Sequence, residues 1–400
     1  MWIERTLGTE LKRLAASFPV VVLTGPRQVG KTSLLEKVFP GHRFLSLDDA
    51  QNAEAAESRP RDLLESYPPP VIIDEIQYAP SLLRHLKVAV DRRRGETGLF
   101  FLSGSQSFPM MQAVSESLAG RAAVVPFLGL SAEEWTACTP LASRSTHADL
   151  LWRGSYPGLW ADTESPPDRD RWYQGYVATC LERDVRNMLN VSHLRDFERF
   201  MRACAIRNGQ LLNMSEIGRD VGISPTTARE WMGVLHASAH VLLLEPYHRN
   251  LGKRLVKSPK LYFTDTGLAS FLCGFQSPAA LAASPLAGAF WENHVVCQWL
   301  RWRDWRAPAA GLWFWQDRMK NEVDLVVELD GRLHPVECKR KERPDASDLK
   351  GMRAFLSFYG PGAVGPAWVA CLTDRRFEVA PGVTAVNGWR TWALGEGNRR

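Results

Sequence analysis

Residues 25–32, GPRQVGKT, lie between the apolar run VVVLT (20–24) and the helix-like pattern SLLEKVF (33–39). The stretch is a complete G-x-x-x-x-G-K-[ST]. Gly25 and Gly30 let the backbone turn tightly enough for its N–H groups to face phosphate oxygens, and the helix that follows adds its positive end. Lys31 offers a point charge to the β- and γ-phosphates, and Thr32 offers a hydroxyl to Mg²⁺. Pro26, Arg27, Gln28 and Val29 form the body of the loop, and Ser33 follows the Thr32 hydroxyl, so all five join the expected nucleotide-binding set. Upstream, FPVVVLTG (18–25) is a continuous apolar run of strand length, as expected where a strand is buried on both faces of a parallel sheet.

Further along, PPPVIIDEIQ (68–77) repeats the buried-strand pattern and ends in Asp74 and Glu75. Strand ends of this kind present groups to a ligand in α/β sheets. Asp74 is expected to hold the Mg²⁺ and Glu75 to polarise the water that attacks the γ-phosphate. HRFLSLDD (42–49) reads as a strand between the two motifs, and GLFFLSGSQS (98–107) as another, ending in the hydroxyls of Ser103 and Ser105. Each serine either senses the γ-phosphate or serves as a turn residue. SLAGRAAVVPFLGLS (117–131) places Arg121 directly before a fifth strand, where it completes a charge clamp in its own site, or in a neighbour's through a homo-oligomer, or is simply solvated.

TGPRQVGKTSLL, VIIDEIQYAP, LSGSQS and SLAGR together resemble the AAA-type P-loop ATPases of bacteria and archaea whose C-terminal half is the domain DUF4143. The resemblance extends along nearly the whole chain, through GSYPG (154–158) and LERDV (181–185), and implies an ATP-binding protein with Mg²⁺ as cofactor.

The segment 142–171 is rich in Pro, Ser and charge and reads as a connection. NMSEIGRDVGISPTTAREWMGVLHAS (213–238) then carries Ile217 and Val221 four apart, Gly222 as a stop, and Ser224-Pro225 as a cap with a first-turn proline. Two short helices joined this way read as helix–turn–helix, with Thr226, Thr227 and Arg229 at the exposed start of the second. Next, VLLLEPYHRNLGKRLVKSPKLYFTD (241–265) alternates like a hairpin and holds five Lys or Arg between Pro246 and Lys260 with no acid. That pattern suits a basic wing on a phosphate backbone, or a lid on a neighbouring domain.

In the last third, GAFWENHVVCQWLRWRDW (288–305) reads as an amphipathic helix with Glu292 near its start. LWFWQDRMKNEVDLVVELDGRLHPVECKRK (312–341) reads as paired strands, with Asp324 on the first, Glu337 and Lys339 on one face of the second, and the turn LDGR between. An Asp, a Glu and a Lys converging across neighbouring strands suits metal-assisted phosphodiester hydrolysis, in which the carboxylates hold Mg²⁺ and the lysine assists the attacking water. The set resembles the PD-(D/E)xK nuclease signature, with Glu292 as its helical acid; Val323 replaces the usual proline, and Gln316 stands where the family often has arginine. Inactive members of that fold retain nucleic-acid binding, so cleavage and binding both stay open.

Composition agrees with this class. The 400 residues, 45% hydrophobic and 23% charged with a net charge of +5, fit a globular protein of two or three domains and permit an anionic partner such as DNA. Cysteines at 138, 180, 204, 273, 297, 338 and 371 form no C-x-x-C pair and are odd in number, against a disulfide framework or structural zinc. A reducing cytoplasmic setting is expected, with no membrane contact. The N-terminal stretch MWIERTLGTELKRLAASF reads as an amphipathic helix rather than a secretory segment. The expected architecture is α/β: a P-loop domain at 1–140 with a parallel sheet, a linker at 141–170, a helical winged-helix segment at 171–268, an α/β restriction-endonuclease-like domain at 269–385, and a tail at 386–400. Its expected work is Mg²⁺-dependent ATP hydrolysis that controls DNA binding or processing; the alternative is an ATP-switched scaffold or regulator with an inactive nuclease-like domain.

Overall fold

A computed structural model describes residues 2–104, 114, 116–138, 146–160, 167–181, 194–248 and 258–390. The chain divides into two compact units, chiefly residues 1–130 and chiefly residues 131–400.

The first unit begins with helix α1 (Leu7–Ala15), which buries Leu7 and Leu11 on one face. Strand β1 (Val20–Thr24) follows and is buried at every position. Then come α2 (Lys31–Val38), β2 (Arg43–Ser46), α3 (Ala50–Ser58), α4 (Pro60–Ser66), β3 (Val71–Asp74), α5 (Leu82–Arg92), β4 (Phe100–Gly104) and β5 (Ala122–Pro126). The five strands form one parallel sheet in the order β2-β3-β4-β1-β5. Parallel pairing forces each crossover over a face of the sheet, which is why β1, β3 and β4 are uninterrupted apolar runs rather than alternating ones. Val20, Val22, Ile73, Leu102, Leu83 and Leu86 lie in a single apolar cluster at near-zero exposure. Truncating a buried leucine of such a core to alanine costs about 2–5 kcal/mol.

The second unit has a helical part and a sheet part. Its first helix, Ala132–Cys138, lies beyond the break at 130, so the P-loop unit ends about ten residues before the expected boundary at 140. Trp135 of that helix packs edge-on against Trp160 and Trp389 of the same unit. The expected linker at 141–170 also contains packed structure. Thr146 and Asp149 form a capping box on the helix His147–Arg153, which buries Leu150 and Leu151. Asp168 caps the helix Arg169–Tyr176, and the Arg169 guanidinium is buried against carbonyls of Trp152 and Gly267. The Gly154-Ser155 element explains itself here. Asp265 accepts Ser155 N–H and hydroxyl and the Tyr173 hydroxyl, and a Cβ on Gly154 would meet Tyr173 Oη at 2.4 Å. Glu182, Arg183 and Asp184 lie outside the described residues.

Helix Met214–Val221 and helix Pro225–Ala237 are joined by a three-residue turn, with Gly222 at φ 85° and Ser224 Oγ accepting Thr227 N–H at 3.0 Å. Strands β6 (Val241–Leu244) and β7 (Lys260–Phe263) follow as an antiparallel pair. The helix Thr266–Leu272 runs across the expected boundary at 268. A long helix, Ala287–Arg306, then leads into a six-stranded mixed sheet. Its strands are β8 (Gly311–Gln316), β9 (Glu322–Leu329), β10 (Arg332–Cys338), β11 (Ala367–Cys371), β12 (Phe377–Ala380) and β13 (Val383–Asn387), in the order β12-β13-β11-β10-β9-β8. The β9–β10 hairpin turns at Asp330 and Gly331, both at positive φ, as a two-residue turn of this twist demands. β13 pairs along its length with β11, and Trp389 stacks on His294 at 4.0 Å, so the sheet domain extends past the expected limit of 385. Among the described residues no helix is long and apolar enough to cross a membrane.

Candidate functional site

The P-loop follows β1 at the carboxyl end of the sheet, and register places the other motif there too. Val22 lies beside Leu102, and Leu102 beside Ile73, so Thr24, Ser103 and Asp74 share one edge. Thr32 Oγ1 donates to Asp74 Oδ1 at 2.8 Å, and the buried Ser103 hydroxyl donates to the same oxygen. Two hydroxyls thus meet on one carboxylate, a donor chemistry that fits Mg²⁺. Lys31, 6% exposed, folds over the loop and donates to the carbonyls of Gly25 and Pro26 at 3.0 and 2.8 Å. Gly30, at φ 88°, precedes the first residue of α2, and Gly25 lies so close to the segment after β5 that a Cβ would stand 2.0 Å from Phe127 O.

Arg27 donates to Tyr78 Oη at 3.1 Å, Gln28 is exposed at φ 62°, Val29 is buried, and Ser33 faces outward on α2. Glu75, half-buried at φ 56° directly after β3, accepts a hydrogen bond from Gln77 Nε2. A residue outside every sequence motif holds this loop in place. The buried Arg5 guanidinium donates to Val29 O and Leu128 O, each at 2.8 Å, and lies 4.0 Å over the Phe127 ring. A lone arginine near the N-terminus carries no sequence signal for such a clamp. Ser105 lies outside the described residues.

Arg121 is placed differently from one of its expectations. It precedes β5, whose Ala122 lies beside Val20, so it stands at the amino end of the sheet. The P-loop is at the other end, about 16 Å away along five residues of strand. There Arg121 is engaged by Asp91, with Nε 2.7 Å from Oδ1 and Nη2 3.2 Å from Oδ2. A clamp on the phosphates of its own site is therefore excluded by register.

In the second unit the expected carboxylates do gather, with company. The register Val336↔Leu325 leaves Asp324 beside Glu337 at the end of the ladder, and Asp324 Oδ2 accepts Cys338 N–H at 2.8 Å. Glu337 Oε1 binds the Lys339 ammonium at 2.6 Å, while its buried Oε2 has no hydrogen-bond partner. Glu292, on the long helix, accepts from Lys260 at 2.8 Å and from the Tyr262 hydroxyl. Burial, reinforced by neighbouring Asp324, pushes Glu337 up to about 8 against the pull of Lys339. Burial likewise pushes Glu292 up to about 7, opposed by Lys260. Lys260 stays firmly protonated: burial alone would lower it, but Glu292, Tyr262, Asp324 and Glu322 outweigh that.

This arrangement corrects two expectations. Lys260, placed by its sequence on a basic wing, is 4% exposed and points into the acidic cluster. Arg249, Lys253, Arg254 and Lys257 of that wing lie outside the described residues. Glu292, Asp324 and Glu337 were expected to hold Mg²⁺ together, yet among the described residues no three His, Cys, Asp or Glu side chains are grouped to hold a metal ion. The residues do not fit the metal, because an ammonium stands among the carboxylates. Glu322, which no sequence motif marks, completes the cluster. On the helix–turn–helix, Thr226 and Arg229 are exposed as expected, whereas Thr227 is half-buried in the cap.

The five-stranded parallel sheet, with P-loop and acidic strand end on one edge, defines a P-loop ATPase fold. The family model of an AAA domain matches residues 17–136, and models of two domains of unknown function, DUF8612 and DUF4143, match 144–279 and 287–390. Uncharacterised proteins of Mycobacterium bovis and Mycobacterium tuberculosis are each 35% identical over 359 residues, which is 89% of this chain and 78% of theirs. The chain belongs to the family of AAA-type P-loop ATPases with a C-terminal DUF4143 domain. Among solved structures, the Walker-type ATPase of Pyrococcus abyssi is similar at a TM-score of 0.44 and 15% identity, covering 68% of this chain and 96% of that one. A signal-transduction ATPase of Pyrococcus horikoshii with a tetratricopeptide repeat sensor gives 0.27 at 14% identity, covering 74% and 44%.

Proposed function

We propose that this protein hydrolyses ATP with Mg²⁺ and that its nucleotide state governs how its C-terminal half binds DNA. The observation that carries the first part is the meeting of Thr32, Asp74 and Ser103 at the P-loop edge of the sheet. Mg²⁺ bound there would supply neutralisation of the phosphate charge. Thr32 and Asp74 would hold it. Lys31 leaves the loop carbonyls for the phosphate oxygens, and the loop N–H groups take the rest of the charge. Glu75 orients the attacking water once released from Gln77. Arg121 serves a neighbouring subunit's site, since its own lies at the opposite sheet edge.

DNA binding is supported by two helices in a tight turn with Thr226 and Arg229 exposed on the second, followed by an antiparallel strand pair of winged-helix type. The test uses the full chain: phosphate release with Mg²⁺ and with chelator, and fluorescence anisotropy of a DNA duplex with ATP or ADP. Lys31→Ala is expected to abolish turnover and the difference between nucleotides. Arg229→Ala is expected to weaken DNA binding and reduce its salt slope by about 1. Turnover unaffected by Lys31→Ala, or anisotropy that ignores both nucleotide and Arg229, would discard the proposal.

A further inference from the structure

We propose that the Lys260 ammonium is the resident cation of the C-terminal carboxylate cluster, standing where a divalent metal would have to stand and keeping one out. Lys260 opens β7, and its Nζ lies 2.8 Å from Glu292 Oε1, 2.6 Å from Glu322 Oε1 and 3.9 Å from Asp324 Oδ1. The three acids come from the long helix and from β9, so one ammonium gathers carboxylates from two elements. An ammonium has three donors and no acceptor, which suits that task.

Oxygens of Glu322 and Glu292 are also otherwise engaged. Glu322 Oε2 accepts Gln316 Nε2 at 2.8 Å while Lys260 takes its Oε1, so both oxygens of this acid are held. Gln316 thus has a local purpose at the position where the sequence departs from the nuclease pattern. Glu292 Oε1 carries two donors, Lys260 and Tyr262. A magnesium ion demands oxygens at about 2.0–2.1 Å in near-octahedral array. It would have to share these oxygens with a positive charge a few ångströms away, and like charges repel strongly in a buried site.

Nor is Lys260 free to swing out as a substrate-facing lysine. Its side chain is 4% exposed and its Nζ lies 5.7 Å from the Phe314 ring centroid. Because the cation is part of the chain, neither dilution nor a chelator removes it. The inference rests on the cluster alone and is independent of ATP turnover and of DNA binding.

The test is Mn²⁺ titration of nucleotide-free full-length protein, followed by water-proton relaxation. Asp74→Asn is carried in every sample to remove the P-loop carboxylate. The otherwise unsubstituted cluster is expected to show no saturable site tighter than about 1 mM. Lys260→Met is expected to uncover one about tenfold tighter or more, lost again when Asp324→Asn is added. Where Lys260→Met fails to fold, the charge-balanced pair Lys260→Met and Glu322→Gln takes its place with the same expectation. Saturable Mn²⁺ binding by the unsubstituted cluster that Asp324→Asn removes would overturn the proposal, as would equal binding with and without Lys260.

Discussion

Thr32 Oγ1 donates to Asp74 Oδ1 across 2.8 Å, although 42 residues of chain separate them. The bond exists because β3 and β1 flank β4 in parallel register and end at the same edge. If the two act through one metal position, their losses do not add. Thr32→Ala and Asp74→Asn should each lower ATP turnover by about 10–100-fold. The double variant should be scarcely slower than the worse single one, measured as phosphate release at saturating ATP. Fully multiplicative losses would show that the two serve different steps.

Gly25 offers a stability test. A Cβ there would stand 2.0 Å from the backbone carbonyl of Phe127, and no rotamer relieves a backbone clash. Gly25→Ala should therefore displace the loop, lower stability by about 1–3 kcal/mol, and weaken nucleotide binding. Gly41→Ala, with nothing within 4 Å of the added atom, is the control. Urea unfolding and calorimetric ADP titration of both variants check this.

Arg121 separates binding from turnover. It is held by Asp91 at the amino end of the sheet, opposite the end that carries the P-loop. Arg121→Ala should leave ADP affinity within about twofold, by isothermal titration at dilute protein. Mixing Arg121→Ala with Glu75→Gln subunits should restore part of the turnover that each lacks alone. A tenfold fall in affinity for the single variant would return the arginine to its own site.

Glu337 and Glu292 set a pH dependence. Each carboxyl ordinarily titrates near 4.5; burial raises Glu337 to about 8 and Glu292 to about 7 in the folded chain. Between those values the folded state holds protons that the unfolded chain has lost, so stability falls as pH rises from about 4.5 to about 8. Each group contributes at most about 1.4 kcal/mol per pH unit. Denaturant unfolding between pH 5 and 8 should show a shallower decline for Glu337→Gln than for the parent. Parallel profiles would remove Glu337 as a source.

Much of this was legible from residues close in the chain. The P-loop, the strand ending in Asp74, the cap at Ser224 and the turn at Asp330 and Gly331 each depend on a few neighbours, whose φ preferences and apolar spacing act locally. The packed helix His147–Arg153 was less legible, because Pro and Ser around it read as a connection while its partners lie far along the chain. Lys260 was misplaced for a related reason. Its charge matches its neighbours on the hairpin, whereas β7 is buried at every position and carries it inward.

By itself the sequence determined that a phosphate cradle follows a buried strand, that an acidic strand end accompanies it, and that Asp324 and Glu337 lie on adjoining strands with Lys339 just past the second. Tertiary structure alone decided which of these groups meet. Sheet register brought Thr32, Asp74 and Ser103 together and put Arg121 at the far edge, while packing of the separate β6–β7 pair brought the β7 ammonium to the carboxylates of β9 and the long helix. The physical reason is range: backbone preference and hydrophobic period act over a few residues, whereas the charge balance of a buried cluster is the sum over whatever distant strands the fold sets side by side.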